Sequence, residues 1–174
     1  MTVSVDIFCE DGVVAPLAQD EIENLALTVL QDRQVTRDCC ISLSFVSDKS
    51  IAELNERWRM ISAPTDVLSF EMEHPDDPDL LDNEHCELGD IVIAPAYVQA
   101  QAQTFGTSFN DEVRLMLVHG VLHLMGYDHM EEDEAHVMQD IEDRLLQQIP
   151  TDKTLTTVVL TRHREEGMEG STHA

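Results

Sequence analysis

The chain has 174 residues, with 35 Asp and Glu against 10 Lys and Arg and a formal net charge of −25. That length suits one domain with a sizeable core, and the lack of any apolar run of about 18 residues excludes a membrane-spanning helix. The same charge balance weighs against generic binding to a phosphate backbone, which draws on Lys and Arg, and any nucleic-acid partner would need a local basic groove set against the overall field.

Met1 to Asp6 show neither a basic nor a strongly apolar leader pattern, and the expectation is a cytoplasmic protein. Residues 3–9 alternate and predict a strand. Residues 16–33 predict a helix, with Pro16 in its first turn and Leu17, Ile22, Leu25, Val29 and Leu30 near one face. A half-buried strand follows over 40–46. Ser47-Asp48 can cap a helix running to about Arg59, whose apolar stripe is Ile51, Leu54 and Trp58. Pro64-Thr65 ends that region, and 66–71 predict a third strand. The acidic, proline-bearing stretch 73–87 reads as a solvated loop. Residues 89–94 predict a fourth strand, and Pro95 opens a helix to about Gln103.

The next helix, capped by Ser108 or Asn110, runs from Asp111 to about Met125. It is apolar nearly all round, so it is expected to be buried, and Gly126 is its expected C′ residue. Asp133 to Ile149 form a last helix, with Ala135, Met138, Ile141, Leu145 and Leu146 inward and Pro150 as its stop. Residues 151–174 are expected to be a polar, frayed tail, with a short strand at Leu155–Leu160 as a candidate element. The order β-α-β-α-β-β-α-α-α predicts one α+β domain over 1–150, with a small, mostly four-stranded sheet and about five helices. Cys9, Cys39, Cys40 and Cys86 include no C-x-x-C pair, so small buried strand residues are expected and no disulfide framework or thiolate zinc site.

The stretch from Val118 to His129 carries the chemistry. His119 and His123 are spaced i, i+4 on the buried helix, so their imidazoles can converge on one ion. Gly126 breaks the helix, and the return through Tyr127-Asp128 can bring His129 in as a third ligand. Unpaired imidazoles would be expensive to bury on an apolar helix, which favours a metal. Three nitrogen ligands leave one tetrahedral position open, the catalytic rather than the structural zinc pattern, so one Zn2+ in a hydrolase is the reading. In the usual zincin motif a Glu general base follows the first His. Here that position is Gly120, which weighs against standard peptide hydrolysis.

These residues resemble the signature of the YbeY family, bacterial endoribonucleases of rRNA maturation. Leu54-Asn55, Trp58-Arg59 and the run from Pro64 to Phe70 resemble its second motif. The run from Leu88 to Ile93, with Gln99-Ala100, resembles its third. The likeness covers roughly residues 40–148. It implies a zincin-like α+β fold, a zinc held by His119, His123 and His129, and cleavage of single-stranded RNA. It further implies a role in 16S rRNA 3′-end maturation and ribosome quality control, with ribosomal proteins or the 30S subunit as partners and no membrane. It also places Arg59 in the cleft as a catalytic residue, where a guanidinium can bind a phosphate and stabilise developing charge. Met60-Ile61-Ser62-Ala63 lack the glycine and lysines the likeness leads one to expect, so the cleft is expected to be less basic. The acids of 71–90 and 131–143 are expected on faces turned away from RNA.

Asp128 is read equally as a carboxylate orienting a ligand histidine or as a turn cap. Tyr127 is expected to be a packed aromatic and His136 a surface residue, while Asp66, Ser69 and Asp90 are read as lining the cleft or, by preference, as the polar face of strands. His74, His85, His163 and His173 are assigned no role. Two other readings stand beside the nuclease: a metalloprotease on a zincin scaffold, and a ribosome-assembly factor whose zinc is structural.

Overall fold

The computed structural model describes residues 1–152; the expected tail from Lys153 onward and its candidate strand lie outside the described residues. Nine elements run in the order β1 (Val3–Cys9), α1 (Gln19–Asp32), β2 (Cys39–Phe45), α2 (Asp48–Arg59), β3 (Val67–Glu71), β4 (Cys86–Ile93), α3 (Pro95–Phe105), α4 (Phe109–Leu124) and α5 (Glu132–Gln148). This is the α+β fold that the element order implies, with a four-stranded sheet and five helices.

The strands lie in the order β1-β2-β4-β3. β1, β2 and β4 are parallel, and only β3 runs antiparallel, along β4. Parallel neighbours need a crossover, which α1 supplies between β1 and β2 and which α2 with β3 supplies between β2 and β4. β4 begins three residues before the strand expected at 89, because Cys86 and Glu87 pair with Cys39 and Cys40. Leu88 is then an extra residue: Cys40 faces Glu87 while Ile41 faces Gly89. Gly89 at this bulge takes φ +140, and a Cβ there would lie 2.1 Å from the Phe70 carbonyl oxygen. Glycine is required here by both backbone angle and space.

Each sheet face buries a different cluster. Ile41, Leu43, Ile91 and Ile93 join α1, α4 and α5 in the main core. On the other face, Leu68 and Val92, which pair in register, pack with Ile51 of α2. α1 starts at Gln19, later than Pro16, with Ala18 at its N-cap, so the proline lies before the helix. α2 departs from its expected stripe at one end: Ile51 is fully buried, but Trp58 is 63% exposed. All four cysteines are free; Cys39 and Cys86 are buried as expected, and Cys9 and Cys40 are half-buried.

α4 is enclosed as its composition predicts, packing against α1, α3, α5, β3 and β4. Ser108 caps it by accepting a bond from the Asp111 N–H at 3.2 Å. In its first turns Arg114 donates to the buried Asp111 carboxylate at 2.7 Å and pairs with Glu21 at 2.8 Å. The start of the tail joins this network, with Asp152 accepting from Ser108 at 2.6 Å. Gly120 lies against β4, where a Cβ would come 3.0 Å from Ile91 Cδ1. A side chain at this position is crowded by Ile91, which would have to shift to admit it.

Gly89→Ala is expected to cost about 3 kcal/mol, from the positive φ and the collision with Phe70 together. Gly12→Ala, also at positive φ (+81) but with nothing near its Cβ, is expected to cost about 1 kcal/mol. Urea unfolding of both variants measures the difference; equal losses would mean that the contact with Phe70 carries no weight.

Candidate metal centre and cleft

His119 and His123 share one face of α4 because four residues advance an α-helix just over one turn. Their Nε2 atoms lie 2.8 Å apart. Beyond the helix, Gly126 takes φ +92, and the Tyr127 N–H returns to the Leu122 carbonyl at 3.1 Å. This αL turn doubles the chain back, as the glycine implies. It sets the His129 ring 5.6 Å from that of His119 and 5.1 Å from that of His123, between centroids. One donor atom from each of the three lies within 4.8 Å of the others. Tetrahedral zinc with bonds of about 2.0–2.1 Å places its nitrogens about 3.3 Å apart, so the trio sits near ligand spacing.

The outer nitrogens are also accounted for. His119 Nδ1 is 2.5 Å from Glu142 Oε1, and His123 Nδ1 is 2.8 Å from the Tyr127 carbonyl oxygen. An Nδ1–H that donates to either acceptor leaves the Nε2 lone pair free to ligate. Burial pushes the His123 pKa down to about 3, helped by the charges of His119 and His129. Burial also lowers the His129 pKa, with Asp128 and Glu142 opposing. Both rings are therefore neutral at neutral pH. His129 Nδ1 is buried without a hydrogen-bond partner, since Asp128 at 3.9 Å is too far. A buried orphan nitrogen beside two oriented imidazoles fits a divalent cation of the zinc class.

The histidines open into a cleft of about 640 Å³ that Arg59 also lines. Arg59 is the last residue of α2, half-buried, and makes no ion pair among the described residues. Burial works against its charge, and Asp66 supports it. Its position is set by the turn that follows: Met60 donates to the Glu56 carbonyl at 3.0 Å, and buried Asn55 donates to the Ala63 carbonyl at 2.9 Å. Met60 occupies the left-handed region (φ 58), where a glycine is normal, within the stretch Met60 to Ala63 that lacks the expected glycine.

Several residues fall elsewhere than expected. Asp66 and Ser69 line the cleft instead of a solvated strand face. Glu71 and Glu142, from the two acid-rich stretches, line it as well, so those acids are not all turned away from it. Asp128 accepts from the His129 N–H at 2.7 Å, which is the turn-capping role. The Tyr127 hydroxyl accepts from Arg33 at 3.1 Å, a packed aromatic with its hydroxyl satisfied. His136 is a surface residue, and His74 meets the Met125 carbonyl oxygen at 3.2 Å, tying the 73–85 loop to the turn after α4. Glu142 went unread in the sequence. Its signal was an acid at an inward position of α5, flanked by Met138, Ile141, Leu145 and Leu146.

The chain is similar to known proteins over most of its length. The family model described as Endoribonuclease YbeY matches residues 9–150. A protein of Desulfitobacterium hafniense (strain Y51) named Endoribonuclease YbeY is 47% identical over 111 residues, 63% of this chain and 71% of its own. A protein of the same name from Legionella pneumophila (strain Corby) is 37% identical over 149 residues, 86% of this chain and 91% of its own. The solution structure of TM1509 from Thermotoga maritima is similar with a TM-score of 0.55 and 25% identity, over 97% of each chain. By its sequence over nearly the whole described length, the chain belongs to the YbeY endoribonuclease family.

Proposed function

We propose that this chain is a zinc-dependent endoribonuclease that cuts single-stranded RNA, acting in 16S rRNA 3′-end maturation and ribosome quality control, with the 30S subunit or its proteins as partners. The observation that carries this reading is the convergence of His119, His123 and His129 in the cleft that Arg59 enters, in a chain of an endoribonuclease family.

His119, His123 and His129 would hold the ion. When bound, zinc supplies Lewis-acid stabilisation of charge on a phosphoryl oxygen. The remaining work falls to the chain. Glu142 and the Tyr127 carbonyl hold the ligand rings in one orientation and tautomer. Arg59 binds a substrate phosphate through its planar fork and stays charged despite burial. Gly120 offers no carboxylate, which disfavours the protease reading.

The first test sets wild type beside His123→Ala on a labelled single-stranded RNA. The variant is expected to stay folded by circular dichroism, bind zinc far below one equivalent and lose cleavage. Equal cutting by both would remove the mechanism, and unfolding of the variant would favour a structural zinc.

Glu142→Gln keeps an acceptor for His119 and removes the charge. Zinc affinity is expected to fall about 10–100-fold, read by competition with a chromogenic chelator. Unchanged affinity would reduce Glu142 to a packing role.

The pH dependence of the chelated protein has a definite sign. An unfolded imidazole protonates near 6.5, whereas folded His123 stays neutral down to about 3. The folded state therefore binds fewer protons in that window, and His123 lowers stability as pH falls through it. Urea midpoints in EDTA at pH 7.5 and pH 5 are expected to drop more for wild type than for His123→Ala, and an equal drop would place the titration elsewhere.

A further inference from the structure

The described residues hold seven cations. Arg33 and Arg144 bind Asp32, Arg114 binds Asp111 and Glu21, and Arg37 is spent on backbone carbonyls. Lys49, Arg57 and Arg59 make no ion pair among the described residues, and all three lie on α2. α2 also carries Asp48, Glu53 and Glu56, so its formal charge is zero, but Arg57 and Arg59 gather in its last turn beside Trp58.

The same helix exposes the chain's single tryptophan. Trp58 is 63% exposed, although it continues the apolar stripe of Ile51 and Leu54. Its ring leans on Phe70 at 5.8 Å with a 60° tilt, and the Arg57 guanidinium lies 5.9 Å from its centroid. The indole thus rests against Phe70 with the Arg57 guanidinium over its ring. β3 is the edge strand, and its side chains alternate: Val67, Ser69 and Glu71 line the cleft, while Phe70 points to the face where α2 lies. Trp58 therefore lies on the α2 side of the edge strand, one residue before the arginine that lines the cleft.

We propose that Trp58 is a stacking platform for a base of single-stranded RNA, the nucleotide that flanks the one in the cleft, with Arg57 beside it at the backbone. This rests on the nuclease reading above and adds a contact to it. The charge argument favours RNA over an apolar protein segment at this patch. The overall field repels phosphate, so binding has to come from contacts that work at short range, and base stacking on an aromatic face is such a contact. A strand that leaves the cleft across the β3 edge meets cations and an indole in succession.

The test uses the full, zinc-loaded chain and a labelled single-stranded oligoribonucleotide whose integrity is checked by gel. Wild-type tryptophan fluorescence is expected to be quenched on binding, and with one Trp the signal has one source. Trp58→Ala is expected to weaken binding about tenfold by anisotropy, and Trp58→Phe to restore most of it. On an abasic strand of the same length, Trp58→Ala and wild type are expected to bind alike. Equal affinity of Trp58→Ala and wild type for the normal strand would overturn the proposal and leave the patch to a protein partner, while cleavage that still depends on His123 keeps the nuclease reading. A tenfold loss that persists on the abasic strand would also overturn it, since no base is then involved. Absence of any RNA binding by wild type would remove both readings together.

Discussion

A helix enclosed on every side cannot carry an imidazole cheaply, because each ring brings two polar nitrogens into a dry environment. α4 carries two such rings, and both are resolved in the same way. The outer nitrogens meet Glu142 and the Tyr127 carbonyl, and the inner ones face each other across the cleft floor. Each acceptor comes from a different part of the chain, one from α5 and one from the turn after α4. The burial of α4 therefore recruits the rest of the site: α5 has to lie close enough to offer its carboxylate, and the turn has to fold back far enough to offer its carbonyl. That same turn delivers His129.

The seat of α4 on the sheet rests on two glycines with different tasks. Gly120 lets the helix approach Ile91, and Gly89 lets β4 bulge past the Phe70 carbonyl while Leu124 lies close above it. A side chain at either position would lift the helix or disturb the β3–β4 pairing. β3 supplies Ser69 and Glu71 to the cleft, which Arg59 at the end of α2 also lines. Geometry at the site is in this sense a consequence of backbone packing beneath it.

Local patterns made most of this legible before any coordinates. The spacing of His119 and His123, the glycine after Met125, the Ser47 and Ser108 caps and the all-round apolar surface of α4 each have a local cause, and each is found as expected. What escaped depends on tertiary placement. Glu142 is one acid among many in α5, and only the approach of α5 to α4 separates it from its solvated neighbours. Trp58 has the right spacing for the core, but among the described residues only Phe70 and Arg57 lie against its ring, and it stays largely exposed. Asp66 and Ser69 look like a solvated strand face until the sheet order makes β3 an edge with a cleft beside it. The glycine missing after Arg59 was visible, yet its meaning was not: Met60 holds the left-handed turn in its place.

The net charge then acquires a functional sense under the nuclease reading. A double helix presents phosphates outward and hides its bases, so an acidic protein gains little from it beyond repulsion. A single strand turns unstacked bases outward, and these can be held by aromatic faces and by a few well-placed guanidinium groups. Three of the described cations are paired with carboxylates and Arg37 is held on backbone carbonyls, while Arg57 and Arg59 at the end of α2 stay unpaired, Arg59 in the cleft itself. On that view the acidity excludes duplexes and non-specific strands, and discrimination comes from the sum of long-range repulsion and a short-range contact that paired bases do not offer.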